Sequence, residues 1–150
     1  MAQLLQLAGS DSVHWIELAT QPRIFNDRAR SIMQVESIWQ NRQLFGEGQI
    51  IAVADSGLDT GDNATLSPDF AGRIVATQFF STVVSDWGDN FAHDTHVAGS
   101  VAGAGVKSGS NPAQDAYSGS FAGVAPRAGL VIQAFDALAD GTIVGLDPDY

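Results

Sequence analysis

Residues 49–55, QIIAVAD, are an unbroken apolar stretch, rich in β-branched side chains and ending on an acid. The stretch is too short for a helix that would stand on its own. An apolar run of this length with no polar alternation reads as a strand covered on both faces of a parallel sheet. RIVATQFF (73–80) and AGLVIQAFDA (128–137) read the same way, with loops of Gly, Pro, Ser and Asp between them. Between the second and third runs, residues 94–105 put Thr95, Val97, Ala98, Val101, Ala102 and Ala104 on nearly every side of a helix. Side chains this small let a helix lie close against a sheet. Strands alternating with such a helix predict an α/β architecture on a parallel sheet.

Upstream of these runs the pattern is weaker. Residues 12–17, SVHWIE, carry apolar side chains on both faces of an extended segment and predict a short strand. Pro22 lacks a backbone donor and biases Gln21 toward extended geometry, marking a linker. Ile32, Val35, Ile38 and Trp39 then fit one amphipathic helix within 26–45, stopped by the Gly-Glu-Gly at 46–48.

With 45% hydrophobic residues, the 150-residue chain can bury the core of one domain or part of a larger one. Seventeen acidic groups against seven basic ones leave a net charge of −10, which repels DNA and RNA at long range. No cysteine is present, so neither a disulfide framework nor a thiolate metal cage can form. The apolar run LLQLA (4–8) has no basic residues before it and is too short for a signal peptide or a membrane span. An exported parent would carry its signal upstream. The end at GLDPDY reads as a chain cut inside a domain.

The chemistry-bearing residues fall in two places. Asp55 ends the first apolar run and enters a sharp Ser56-Gly57 turn, at the strand end where α/β domains gather their ligands. It can cap the turn, bind a metal or orient a histidine. His93 and His96 stand three apart around Asp94 in HDTH, just before the small-residue helix. Their spacing fits zinc ligation, although histidines four apart are the commoner metal pair on a helix; a helix cap or a packed side chain fits equally well.

Taken together, IIAVADSGLDT, HDTHVAGSVAG and FAGVAPRAGLVIQAF, in this order and with His93 following Asp55 by 38 residues, resemble the subtilisin-like serine proteases, or subtilases. The likeness runs from about Ile32 to Asp140. It implies a three-layer α/β sandwich with a parallel sheet, incomplete here. Asp55 becomes the carboxylate that holds the imidazole, His93 the general base, and His96 a packing residue. The nucleophilic serine then lies downstream, because the family's Gly-Thr-Ser turn is absent from these residues. Ser56 adjoins Asp55 and cannot take its place, and YSGSFAG (117–123) reads as a flexible surface turn. The resemblance implies that the oxyanion asparagine lies beyond position 150 as well. The chain alone should therefore be inactive.

The resemblance also assigns residues 1–25 to a propeptide tail and linker, and 26–150 to the N-terminal half of a catalytic domain acting on polypeptides outside the cell. The propeptide itself is a possible partner; nucleic acid and membrane are not. Gly141 and Thr142 follow the third strand where family members pair with extended substrate. Asp69, in LSPDF, matches a position that can ligate a structural calcium, with Asp59 and Asp62 read as solvated loop acids. No cofactor is needed for catalysis. Asp94 stands where the family has glycine; a carboxylate there favours a charged imidazole and predicts an altered pH dependence. GAGVKSG (103–109) lacks the glycine before lysine that a phosphate loop requires. The competing reading is a non-catalytic metal-binding or interaction module using Asp55, His93, Asp94 and His96. Missing neighbour strands would leave an apolar sheet edge prone to aggregation.

Overall fold

The computed structural model describes residues 2–17, 26–80, 86–108, 120–137 and 143–144. In chain order the elements are α1 (Ala2–Ala8), α2 (Asn26–Ile32), α3 (Val35–Arg42), β1 (Ile50–Asp55), β2 (Ile74–Phe80), α4 (His93–Ala102), a 3₁₀ turn at Val106–Ser108, β3 (Gly129–Ala137) and β4 (Ile143–Val144). The three apolar runs are strands of one parallel sheet in the order β1-β3-β2. β4 pairs antiparallel with the end of β3. This is an α/β sandwich left incomplete, with α4 covering one face of the sheet.

Among the described strands β3 alone is paired along both edges, and its inward side chains Leu130 and Ile132 are fully buried. Burial on that scale contributes about 2 kcal/mol per side chain. They pack with Val53 of β1 and with Ala98 and Ala102 of α4, joined by Leu58, Leu66 and Phe70. The outer strands depart from the sequence expectation. Ile50 is 61% exposed and Val75 57%; along β1 exposure alternates, with Ile50, Ala52 and Ala54 exposed and Val53 buried, so the strand is covered on one face and not on both.

Small side chains let α4 approach the sheet and let a loop cross its far end. A Cβ at Gly123 would sit 2.6 Å from Ala102 N, so only glycine passes there. The loop then donates Gly123 N–H to Gly103 O, Val124 N–H to Ser100 O and Ala125 N–H to Val101 O, satisfying carbonyls that the end of a helix leaves open. Ser120 and Ala122 are buried here, so the serine-glycine segment is a packed crossing and not a loose surface turn over its described part. Residues 117–119 lie outside the described residues.

Residues 13–17 form no strand; Trp15 is 79% exposed and its Nε1 donates only to Glu17. A strand needs a neighbour, and none lies alongside among the described residues. Leu4, Leu5 and Leu7 belong instead to α1, a helix that apolar periodicity did not reveal. Pro22 and the boundary at residue 25 fall outside the described residues. No described helix is long and apolar enough to cross a membrane.

The single helix expected within 26–45 is broken into α2 and α3 at Met33-Gln34, where Gln34 adopts a left-handed φ of 61°. The break follows from what anchors α2, which is a buried cation. Arg30 is 5% exposed, and its guanidinium donates to the carbonyls of Ala122 and Ser120 while facing Glu36 at 3.6 Å. It also lies 5.6 Å from the centre of the Trp39 ring, whose Nε1 donates to Val124 O. The planar fork serves two carbonyls at once in a fixed geometry, which lysine's point charge does not reproduce and methionine, with no donor, cannot. Arg30→Met should therefore cost about 3 kcal/mol, the scale of breaking a buried ion pair from one side. Urea unfolding of the two chains measures it; a loss below about 1 kcal/mol would show that the fork is not what anchors α2.

Candidate active site

Asp55 is the last residue of β1, opposite Ala134 of β3, and so lies at the carboxyl edge of the parallel sheet. The chain turns at once: Gly57 has φ 108°, and a Cβ there would lie 2.4 Å from Gly88 O. Only glycine admits the 86–89 loop at that distance. Leu58 N–H donates to Trp87 O at 2.8 Å and Asp89 N–H to Asp59 O at 2.9 Å, so this loop is laced over the turn. α4 starts immediately afterwards, with His93 as its first residue.

Two segments 38 residues apart thereby meet, and His93 Nδ1 stands 2.7 Å from Asp55 Oδ2. The other Asp55 oxygen accepts from Ser56 N–H at 2.7 Å. A carboxylate can only accept, so the Nδ1 proton points at Asp55 and the neutral imidazole keeps a lone pair on Nε2. The Asp55 side chain is 15% exposed and that of His93 58%. The exposed ring can therefore meet a group arriving from outside. Chemically this is an oriented base with an unused proton-accepting face.

Asp89 organises the junction, and sequence reasoning missed it. Its Oδ1 accepts from Ser56 Oγ at 2.8 Å and from the N–H groups of Phe91 and Ala92; its Oδ2 accepts from Thr95 N–H at 2.8 Å and from Thr95 Oγ. Burial pushes this carboxyl up, but the bonds from Thr95, Ser56 and Phe91 outweigh burial and hold it below the ordinary aspartate range. An aspartate just ahead of a helical run is a signal for a helix start, and that signal was present. Ser56 is committed as well: it is 5% exposed, donates to Asp89 and accepts Asp94 N–H at 3.1 Å. It cannot serve as a nucleophile.

Asp94 does not face water at the helix start, where the dipole alone would make it tolerable. Its side chain is fully buried, Oδ2 accepts Gly57 N–H at 3.2 Å, and Oδ1 has no hydrogen-bond partner. Burial, and then the charges of Asp55 and Asp89, push its carboxyl up to about 7, against the pull of Gly57 N–H and His93.

His96 is exposed and is not a packing residue. The buried stripe of α4 runs through Asp94, Ala98 and Ala102, which turns His96 toward a groove that neither Asp55 nor His93 lines. Among the described residues no three His, Cys, Asp or Glu side chains gather to hold a metal ion. Asp69 Oδ1 accepts Val106 N–H at 2.9 Å, which ties its loop to the 3₁₀ turn at Val106–Ser108. Asp62 is an exposed loop acid that also accepts Ala64 N–H, while Asp59 is half-buried and accepts Ser67 N–H. Gly141 and Thr142 lie outside the described residues.

No family model matches the chain. It is similar to the serine protease AprX of Bacillus subtilis (strain 168), 26% identical over 142 residues that cover 93% of this chain and 29% of that protein. It is also similar to the PII-type proteinase of Lactococcus lactis subsp. cremoris, 30% identical over 156 aligned positions covering 86% of this chain. The chain spans only 8% of that relative's length, and 7% of the PIII-type proteinase from strain SK11. Motifs and relatives agree: over most of its length the chain is similar to subtilisin-like serine proteases.

Proposed function

We propose that this chain supplies the aspartate and the general base of a serine endopeptidase whose nucleophile lies outside its 150 residues. Asp55 holds the His93 ring in one tautomer and stabilises the imidazolium that forms when Nε2 takes the serine proton. The activated alkoxide then attacks a peptide carbonyl, and the imidazolium returns the proton to the leaving amine. Residues 26–150 form the N-terminal part of that catalytic domain, residues 1–25 its propeptide tail, and the parent protein is exported. The 2.7 Å contact between His93 Nδ1 and Asp55 Oδ2 supports this more than any other feature.

A serine-directed organophosphorus reagent tests it. The complete protein should be labelled on one serine, found by peptide mass analysis in a Gly-Thr-Ser turn, and labelling should vanish in His93→Ala. The 150-residue chain alone should take up no label. Labelling that persists in His93→Ala would remove His93 as the base.

A further inference from the structure

Asp94 belongs to the junction but has no part in the proton transfer proposed above. It sits in the first turn of α4, directly after the base, and bonds to the turn that follows Asp55. Among the described residues three charged or titratable groups face it: Asp55 from the end of β1, Asp89 from the loop ahead of α4, and His93 from its own helix. Its backbone N–H donates to Ser56 Oγ, and its Oδ2 accepts Gly57 N–H. Both segments of the Asp55–His93 pair are therefore pinned through this one residue. Its Oδ1 is buried and unpartnered. A bare carboxylate oxygen in such a place is costly, whereas a neutral acid is tolerated.

We propose that Asp94 is a positioning residue whose buried carboxyl braces the Asp55-bearing turn against the His93-bearing helix and reversibly takes up one proton, so that the pair faces either a neutral acid or a second negative charge. The proton passes between the carboxyl oxygen and solvent, and no other bond forms or breaks. As the acid, Asp94 leaves the charge of Asp55 undiluted beside the imidazole. As the anion it binds Gly57 N–H more tightly and adds a second attraction for the imidazolium. The family's glycine can do neither. This inference rests on the proposed pairing of Asp55 with His93 and needs no turnover for its test.

Nuclear magnetic resonance of the unmodified chain supplies the test. The Asp94 carboxyl carbon and the Gly57 amide proton should follow one titration with a midpoint of about 7. In Asp55→Asn that midpoint should fall by about one pH unit, because a like charge has been removed. In Asp94→Asn the Gly57 amide should lose this titration while the amide shifts of β3 stay in place. An Asp94 carbon that finishes titrating by about pH 5 would overturn the proposal, and this reading needs no variant. So would a midpoint unmoved in Asp55→Asn, or a Gly57 titration that survives Asp94→Asn. An inactive parent protein that still shows the coupled titration would sink the protease reading and leave this one standing.

Discussion

His93→Ala in the complete protein should lower kcat about a millionfold, a magnitude that is subtilisin's own, while Asp55→Asn should lower it about ten-thousandfold. The first figure corresponds to about 8 kcal/mol of lost transition-state stabilisation. The ordering follows from the two roles. Without the imidazole nothing takes the serine proton; without the Asp55 carboxylate the ring remains but is free to present the wrong tautomer. Because the two act as a unit, the double variant should be no slower than His93→Ala alone. His96→Ala is the informative control. His96 is exposed on α4 and its groove does not include Asp55 or His93, so kcat should stay within about threefold of the unmodified protein. Steady-state kinetics on a peptide substrate decide the matter, with circular dichroism to show that each variant is folded. If His96→Ala were as damaging as His93→Ala, spacing on the helix would count for more than the contact with Asp55, and the assignment of the base would fail.

Much of this site is legible in the residue string, and the illegible parts share a cause. Asp55 can be placed because an apolar run that ends on an acid puts that acid at the edge of a sheet. His93 can be placed because a helix of small side chains begins with it. Both signals are local. Whether the two side chains touch depends on how the 86–89 loop threads over the Gly57 turn, and no periodicity reports that. The strands show the same limit: residue type identified all three, but the burial on both faces expected of them is not met, since β1 buries Val53 and exposes Ile50, Ala52 and Ala54. Burial depends on what covers each face of the sheet, which a single run of residues does not report. Arg30 is the converse case. A cation in a helical pattern reads as a solvated face, yet its partners are carbonyls 90 and 92 residues away. Asp94 misleads for the same reason, since a carboxylate in a first helical turn ordinarily faces water.

That burial gives Asp94 a large effect on stability. An unfolded chain holds this proton with ordinary aspartate affinity, near 3.8, whereas the folded chain holds it up to about 7. Below about pH 4 both states are protonated and the folded state has its full advantage. As pH rises from about 4 to about 7 the unfolded state gives up the proton first, so stability falls across that window and then levels off. The total loss is about 4 kcal/mol, a large share of the roughly 5–15 kcal/mol available to a domain. Asp89 works in the opposite direction, since its lowered value gives stability that is lost on acidification. A raw pH profile therefore mixes the two. Asp94→Asn separates them: the amide fills the same space, its oxygen can still accept Gly57 N–H, and it cannot ionise. Urea unfolding of both proteins from pH 4 to pH 8 should show the asparagine variant gaining about 4 kcal/mol on the unmodified chain as pH rises, most of it before pH 7. Asp94→Gly should gain less, because it removes the acceptor for Gly57 N–H and leaves a void beside Ser56. Parallel curves for the unmodified and asparagine chains would mean that Asp94 is ionised in the folded state throughout, with its charge met by a group that pairs with Oδ1.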